Sequence, residues 1–230
     1  MRRTILLPAL ALVGGLALGT LLGGGLFSAS QGLTNTLGGN AQVARAAASN
    51  AAVQPTATPL DTDDNTRLLE RAESALELLK AEDYTNLSAL IHPEKGLTLT
   101  PYSTVSVEYD RTLSSQQVST LAEDQETYVW GVMDGSGSPI RSTCSDYFQR
   151  FVYNADYAQA PEIGVDTVLM SGNALENVSD AYPQARFVDY NFPGIDPEKN
   201  GYDWCSLKLV FEPWQNDWYL VGMVHSEWTT

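Results

Sequence analysis

Histidine, cysteine and basic residues are scarce in this 230-residue chain. It has two His, two Cys and 13 Lys plus Arg, against 28 Asp plus Glu and a formal charge of −15. Each scarcity excludes a class of function. Too few cations are present to neutralise a row of phosphates, and a surface of this sign repels nucleic acid and anionic lipid alike. Two histidines do not make a His-rich metal site, and neither HExxH nor CxxC spacing occurs, so no metal and no cofactor is expected. A nucleophile elbow is missing, and Gly135-Ser136-Gly137-Ser138 lacks the Lys and the helix pattern that follow a phosphate-cradling loop. No Asp or Glu precedes Asp61, so the body of the chain is more acidic than the whole. Such acidity reads first as solubility and only second as a preference for a cationic partner.

The N-terminus, by contrast, is rich in apolar residues. Arg2 and Arg3 precede a run from Ile5 to Phe27, and Ser28-Ala29-Ser30 offers small residues at the spacing a signal peptidase accepts. The run exceeds the ~7–15 residues of a secretory core and reaches the roughly 20 that span a bilayer. Residues 1–30 therefore read as a signal peptide or an N-terminal membrane anchor. Length favours the uncleaved anchor, its charged end in the cytoplasm. Gly15, Gly19 and Gly23 would let two such spans approach closely, a spacing that chance also produces in a Gly-rich leader. No Cys follows the run, so the lipid-modified cysteine of a lipoprotein is absent. Residues 31–61 are mostly Ala, Gly, Asn, Thr and Pro with no aromatic side chain, a composition that buries too little apolar surface to order itself. They read as a disordered linker. The expected location is extracytoplasmic, either membrane-anchored by the N-terminal helix or secreted.

Residues 62–230 contain every Trp and read as a single α+β domain. Asp63 to Thr66 supply capping side chains for a helix whose apolar face is Leu68, Leu69, Ala72, Ala75, Leu76 and Leu79. Asp83 caps a shorter helix that Pro93 and Gly96 end. Gly96 to Tyr109 is extended, Leu113 to Leu121 a brief helix, and Thr127 to Met133 a strand with Tyr128, Trp130 and Val132 on one side. Ser142 to Tyr153 is amphipathic at helical spacing, with Ser142 or Thr143 as its cap. Ile163 to Met170, Ala185 to Phe192 and possible extended structure near Asn173 precede a terminal hairpin. In that hairpin Leu207, Leu209 and Phe211 alternate with Ser206, Lys208 and Glu212, and a turn at Gln215 to Asp217 leads into Trp218 to Trp228. Helices first and strands after imply N-terminal helices packed on a curved antiparallel sheet.

This order, with the Trp-rich ending Asp217-Trp218-Tyr219-Leu220-Val221-Gly222, resembles the nuclear transport factor 2-like (NTF2-like, or cystatin-like) cone. More specifically, Ile91-His92-Pro93-Glu94-Lys95-Gly96, Thr100-Pro101-Tyr102, Trp130-Gly131, Asp134-Gly135-Ser136-Gly137, Tyr147 to Tyr153, Ala160-Pro161-Glu162-Ile163-Gly164 and Val224 to Thr229 resemble a family of exported bacterial proteins, often lipoproteins. The resemblance spans nearly the whole body. It implies the cone fold and brings no activity with it.

Few residues are candidates for chemistry. Cys144 and Cys205 lie in an exported body where disulfides persist. A bridge would close a loop of about sixty residues and contribute ~4 kcal/mol through the unfolded state, and the alternative is two separate buried thiols. His92, before Pro93, reads as a helix-end residue satisfying carbonyls. His225 shares a strand face with Tyr219, Val221 and Met223 by simple alternation, so it either lines a cone interior or is a satisfied core histidine. Cone folds also host enzymes with an Asp or His base beside Tyr donors in an apolar pocket, and Asp146, Tyr147, Tyr219 and His225 are the candidate pocket here. Asp196 to Asp203 has the early oxygens and the Gly of a calcium loop, but Leu207 stands where the bidentate Glu belongs, so a polar turn explains it better. Asp61 to Asn65 fails the same test, and the sequons at Asn86 and Asn177 matter only in a glycosylating host. The leading expectation is a binding or interaction module of the bacterial cell envelope, its partner an envelope protein or a small ligand. The alternative is a small-molecule-binding or isomerase/hydratase-like enzyme using the cone pocket.

Overall fold

The computed structural model describes residues 62–106 and 108–229, so the leader and linker expected at 1–61 lie outside the described residues. Its first helix, α1 (Thr62–Lys80), begins a turn earlier than the capping signals suggest, which puts Asp63 and Asp64 in the first turn, where their charge complements the helix dipole. Leu68, Ala72, Ala75, Leu76 and Leu79 repeat at three- and four-residue steps and are buried together. A short second helix, α2 (Tyr84–Leu87), is capped by the Asp83 carboxylate, which accepts the Asn86 N–H at 3.0 Å. Then come β1 (Leu97–Thr100), β2 (Arg111–Leu113) and α3 (Ser115–Ser119), the last with a reciprocal capping box between Ser114 and Gln117. Next are β3 (Tyr128–Val132), β4 (Pro139–Ser142) and α4 (Cys144–Tyr147), capped by Thr143 and prolonged as a π-helical turn over Phe148–Val152. After β5 (Glu162–Val165) and the one-turn α5 (Val178–Ala181), three long strands complete the body: β6 (Arg186–Phe192), β7 (Cys205–Trp214) and β8 (Asp217–Glu227).

Six strands form one sheet in the order β2-β1-β8-β7-β6-β5, and β3 pairs with β4 separately. Every pairing in the larger sheet is antiparallel except β1 with β8. The expected terminal hairpin is the centre of this α+β fold. Gln215 and Asn216 both have positive φ, 46° and 68°, the geometry of a two-residue hairpin turn whose twist matches its strands. Between Val210↔Gly222 and Phe211↔Leu220 the β8 side carries one extra residue, Val221. This bulge bends the strand and shifts its alternation.

The inner face of the sheet, with Leu207, Leu209, Phe211, Leu220 and Met223, packs against α1, α2 and the α4 segment in the main core. Simple alternation would leave the other face to water, yet it is also covered. Val210, Val221 and Val224 pack with Val178 and Val105 in a second cluster, and Asn177 clasps the Val105 backbone through both of its amide groups (2.7 and 3.0 Å). The strand expected at Ile163 to Met170 is only half formed: it ends at Val165, and Asp166 takes φ 50°, which sends the chain across the outer face. The segment around Asn173 is part of this cover and not a strand. Gly222 is needed beneath it, since a Cβ there would sit 2.8 Å from the Tyr182 hydroxyl.

Candidate functional site

The four candidate pocket residues do not converge. Asp146 is exposed on α4, where its backbone N–H donates to the Thr143 cap at 3.2 Å. Tyr147 is buried and stacked on Trp130, ring centroids 4.3 Å apart, with a hydroxyl that meets no hydrogen-bond partner. Tyr219 is half-buried near His92 and Arg71. The bulge at Val221 separates it from His225: Met223 joins Trp218 and Leu220 in the inner core, whereas Val221 belongs to the outer cluster.

His225 is fully buried and both ring nitrogens are engaged. The Pro101 carbonyl accepts at 3.0 Å, which makes Nδ1 the donor, and Nε2 faces the Asn154 amide nitrogen at 3.3 Å. Burial pushes its pKa down to about 4, only partly opposed by Glu227 and the Pro101 bond, with Arg150 and Lys208 adding to the depression. It is therefore a neutral, structural imidazole at pH 7. His92 differs from its expected role. Its Nδ1 accepts the N–H groups of Glu94 and Lys95 (3.2 and 3.1 Å), so it organises the turn into β1 and does not cap carbonyls.

The expected disulfide is absent. Cys144 and Cys205 are both free and buried, and each meets a different neighbour. The Cys144 thiol lies 3.7 Å from an Asp124 carboxylate oxygen, and burial with that carboxylate pushes its pKa up to about 11. Burial also raises the Cys205 thiol, which shares a hydrogen bond with Tyr157. The Asp196 to Asp203 stretch is a turn held by its own acids: Asp203 accepts the N–H groups of Ile195 and Asp196, and Asp196 accepts that of Glu198.

A site that sequence reasoning did not assemble lies on the far side of Pro101 from His225. The loop after β1, the β3–β4 hairpin and Ala174 enclose a cleft of about 420 Å³. Its floor is Asp110, whose Oδ2 accepts the Thr100 hydroxyl (2.6 Å) and the Ser106 N–H (2.8 Å). Burial raises that carboxyl's pKa against the pull of these two bonds. Tyr102 forms one wall, with its ring edge-on to Phe151 at 5.8 Å and its hydroxyl directed at the Met133 sulfur at 3.6 Å. The rim is apolar and open, since Tyr109, Val132 and Met133 are 57, 42 and 37% exposed. Asp134 adds a second carboxylate, and among the described residues the lining contains no Lys, Arg or His. Gly131, with φ 135°, lets the hairpin close on this floor, since a Cβ there would lie 3.2 Å from the Pro101 ring. Thr100-Pro101-Tyr102 and Asp134 to Gly137 were visible as motifs, but nothing local says that two turns so far apart in sequence share a cleft.

No family profile matches the chain, and no curated protein matches it either. Solved structures similar to it include an NTF2-like protein of unknown function from Shewanella baltica, 8% identical with TM-score 0.30, covering 71% of this chain and 92% of that one. Another is an NTF2-like protein of unknown function from Shewanella oneidensis, 11% identical with TM-score 0.29, covering 71% and 98%. These likenesses say nothing of chemistry. Among the described residues no helix is long and apolar enough to cross a membrane.

Proposed function

We propose that this chain is a binding module of the bacterial cell envelope, exported and either tethered by its N-terminal segment or secreted, and that it holds a small ligand with a cationic group and an apolar body. The cleft carries this reading. Tyr109, Val132 and Met133 offer apolar surface, Asp110 and Asp134 offer two carboxylates, and no cation among the described lining residues competes for them. A buried charge-assisted hydrogen bond to Asp110 would supply about 1.5–3 kcal/mol of the affinity. The leader supports the location; within the body, Asp64 of α1 accepts the Trp218 indole N–H at the start of β8. The cleft opens beyond Pro101, which follows the Thr100↔Val224 pair toward the other end of β8.

One observation favours the enzyme reading: a carboxyl of raised pKa in an apolar cleft, beside two tyrosines, is the equipment of proton transfer. Titration of the full chain with phenethylammonium and with phenylacetate, followed by calorimetry and by NMR of the probe, separates the ideas. We expect saturable binding of the ammonium probe alone, weakened about tenfold in Asp110→Asn, with the probe unchanged after incubation. Equal binding of both probes, or of neither, would sink the cleft as a cation site, and chemical change of the probe would move the assignment to an enzyme.

A further inference from the structure

The cleft below the β3–β4 hairpin carries its two carboxylates at different depths. Asp110, at the floor, spends Oδ2 on the Thr100 hydroxyl and the Ser106 N–H, and its Oδ1 accepts no hydrogen bond among the described residues. Asp134 is exposed in the hairpin turn, at the rim. Among the described residues neither carboxylate is ion-paired. Arg111, the cation nearest to Asp110 in sequence, is committed elsewhere: its guanidinium lies 3.8 Å over the Tyr128 ring. A ligand with a single cation would leave one of the two acids uncompensated.

Backbone geometry sets the distance between them. A Cβ on Gly131 would meet Asp110 Oδ1 at 3.9 Å, so the floor carboxylate lies beside Gly131. From there β3 ends at Val132, and the chain runs through Met133 to Asp134. At about 3.3 Å per extended residue, the two acids stand on the order of 10 Å apart. The turn that carries Asp134 is held in place. Met133 N–H donates to the Ser138 carbonyl at 2.7 Å, and the Gly137 and Ser136 N–H groups donate to the carbonyls of Met133 and Asp134, both at 2.9 Å. The residues between Gly131 and Asp134 are the apolar Val132 and Met133, and both line the cleft. Tyr102 lines it with them, its hydroxyl turned to the Met133 sulfur at 3.6 Å.

Resting on the cation-binding reading of this cleft, we infer that its ligand is a dication: an aliphatic diamine, or the equivalent stretch of a longer polyamine, with one ammonium on Asp110 and the other on Asp134. The methylenes lie along Val132 and Met133, where their transfer from water adds to the affinity. A hydrogen bond at each end leaves a gap that a short diamine spans. Each ammonium carries three donors, so the inner one reaches Asp110 Oδ1 with donors to spare, while the outer one stays partly hydrated at the rim. Once the first is bound, the second meets its carboxylate at high effective concentration, so even an exposed pair contributes.

Calorimetric titration of the full chain with butylammonium, putrescine, cadaverine and hexamethylenediamine, at one ionic strength, tests this. Butylammonium and putrescine share a carbon chain, so their comparison isolates the second ammonium. The diamine of best length should bind about fivefold more tightly than butylammonium. In Asp134→Asn, a change at an exposed turn position, its affinity should fall to that of butylammonium. A diamine advantage that survives Asp134→Asn would overturn the inference, since it would then reflect only the attraction of a dication to an acidic body. Butylammonium binding as tightly as every diamine would also overturn it and leave the cleft a site for one cation. Binding of no amine at all would remove the cation reading as well.

Discussion

His225 and Asp110 lie on either side of Pro101, and their surroundings could hardly differ more. The imidazole is fully enclosed and bonded at both nitrogens, and its pKa is pushed away from the physiological range toward the neutral form. The carboxyl sits at the base of an open cleft, bonded through one oxygen, with exposed apolar side chains around it. A perturbed titratable group is therefore not by itself a functional site. What separates the two is access: burial that satisfies every polar atom makes structure, whereas partial burial that leaves an acceptor facing a cavity makes a site.

The largest effect expected from breaking this contrast is at Phe151, which underlies both regions through edge contacts with Tyr102 and His225. Phe151→Ala is expected to cost about 3–5 kcal/mol of stability, read by urea denaturation, and to weaken ligand binding as the cleft wall loses its support. Next comes acid. The His225 pKa is about 4 in the folded state against 6.5 for the free side chain, so the unfolded chain binds the extra proton first as pH falls. Stability should be unaffected above pH 6.5, decline between 6.5 and 4, and lose about 3 kcal/mol over that window. Asp110 and Asp189, whose pKa values are raised, oppose this trend. The His225 part is isolated by subtracting the pH profile of His225→Gln, and a flat difference between the two profiles would show that the ring is not buried neutral. Smallest in stability is Asp110→Asn, expected to change unfolding free energy by less than ~1 kcal/mol while lowering cation affinity about tenfold.

Much of the scaffold was legible in the sequence because it is local. The periodicity of α1, the Asp83 and Thr143 caps and the Gln215-Asn216 turn each depend on neighbours a few residues away. The site was not legible, for three physical reasons. A single extra residue at Val221 reverses the alternation that seemed to place Tyr219 beside His225. The parallel pairing of β1 with β8 joins segments more than a hundred residues apart and leaves no local mark. The alternation of Ser206 and Lys208 with Leu207 and Leu209 was correctly read as two faces, but polar residues on the second face suggested water where a segment beginning at Asp166 lies instead. Cys144 and Cys205 illustrate the same limit, since a leader read as an export signal speaks to redox conditions and not to whether two thiols meet.

The most direct test of the contrast is an NMR titration of the full chain at pH 7, with Met methyl groups and His rings labelled and phenethylammonium as the probe. The Met133 methyl signal should shift saturably, with a midpoint about tenfold higher in Asp110→Asn, while the His225 ring signals stay in place. A shift centred on the His225 ring with Met133 silent would contradict the account and return the site to the interior of the cone.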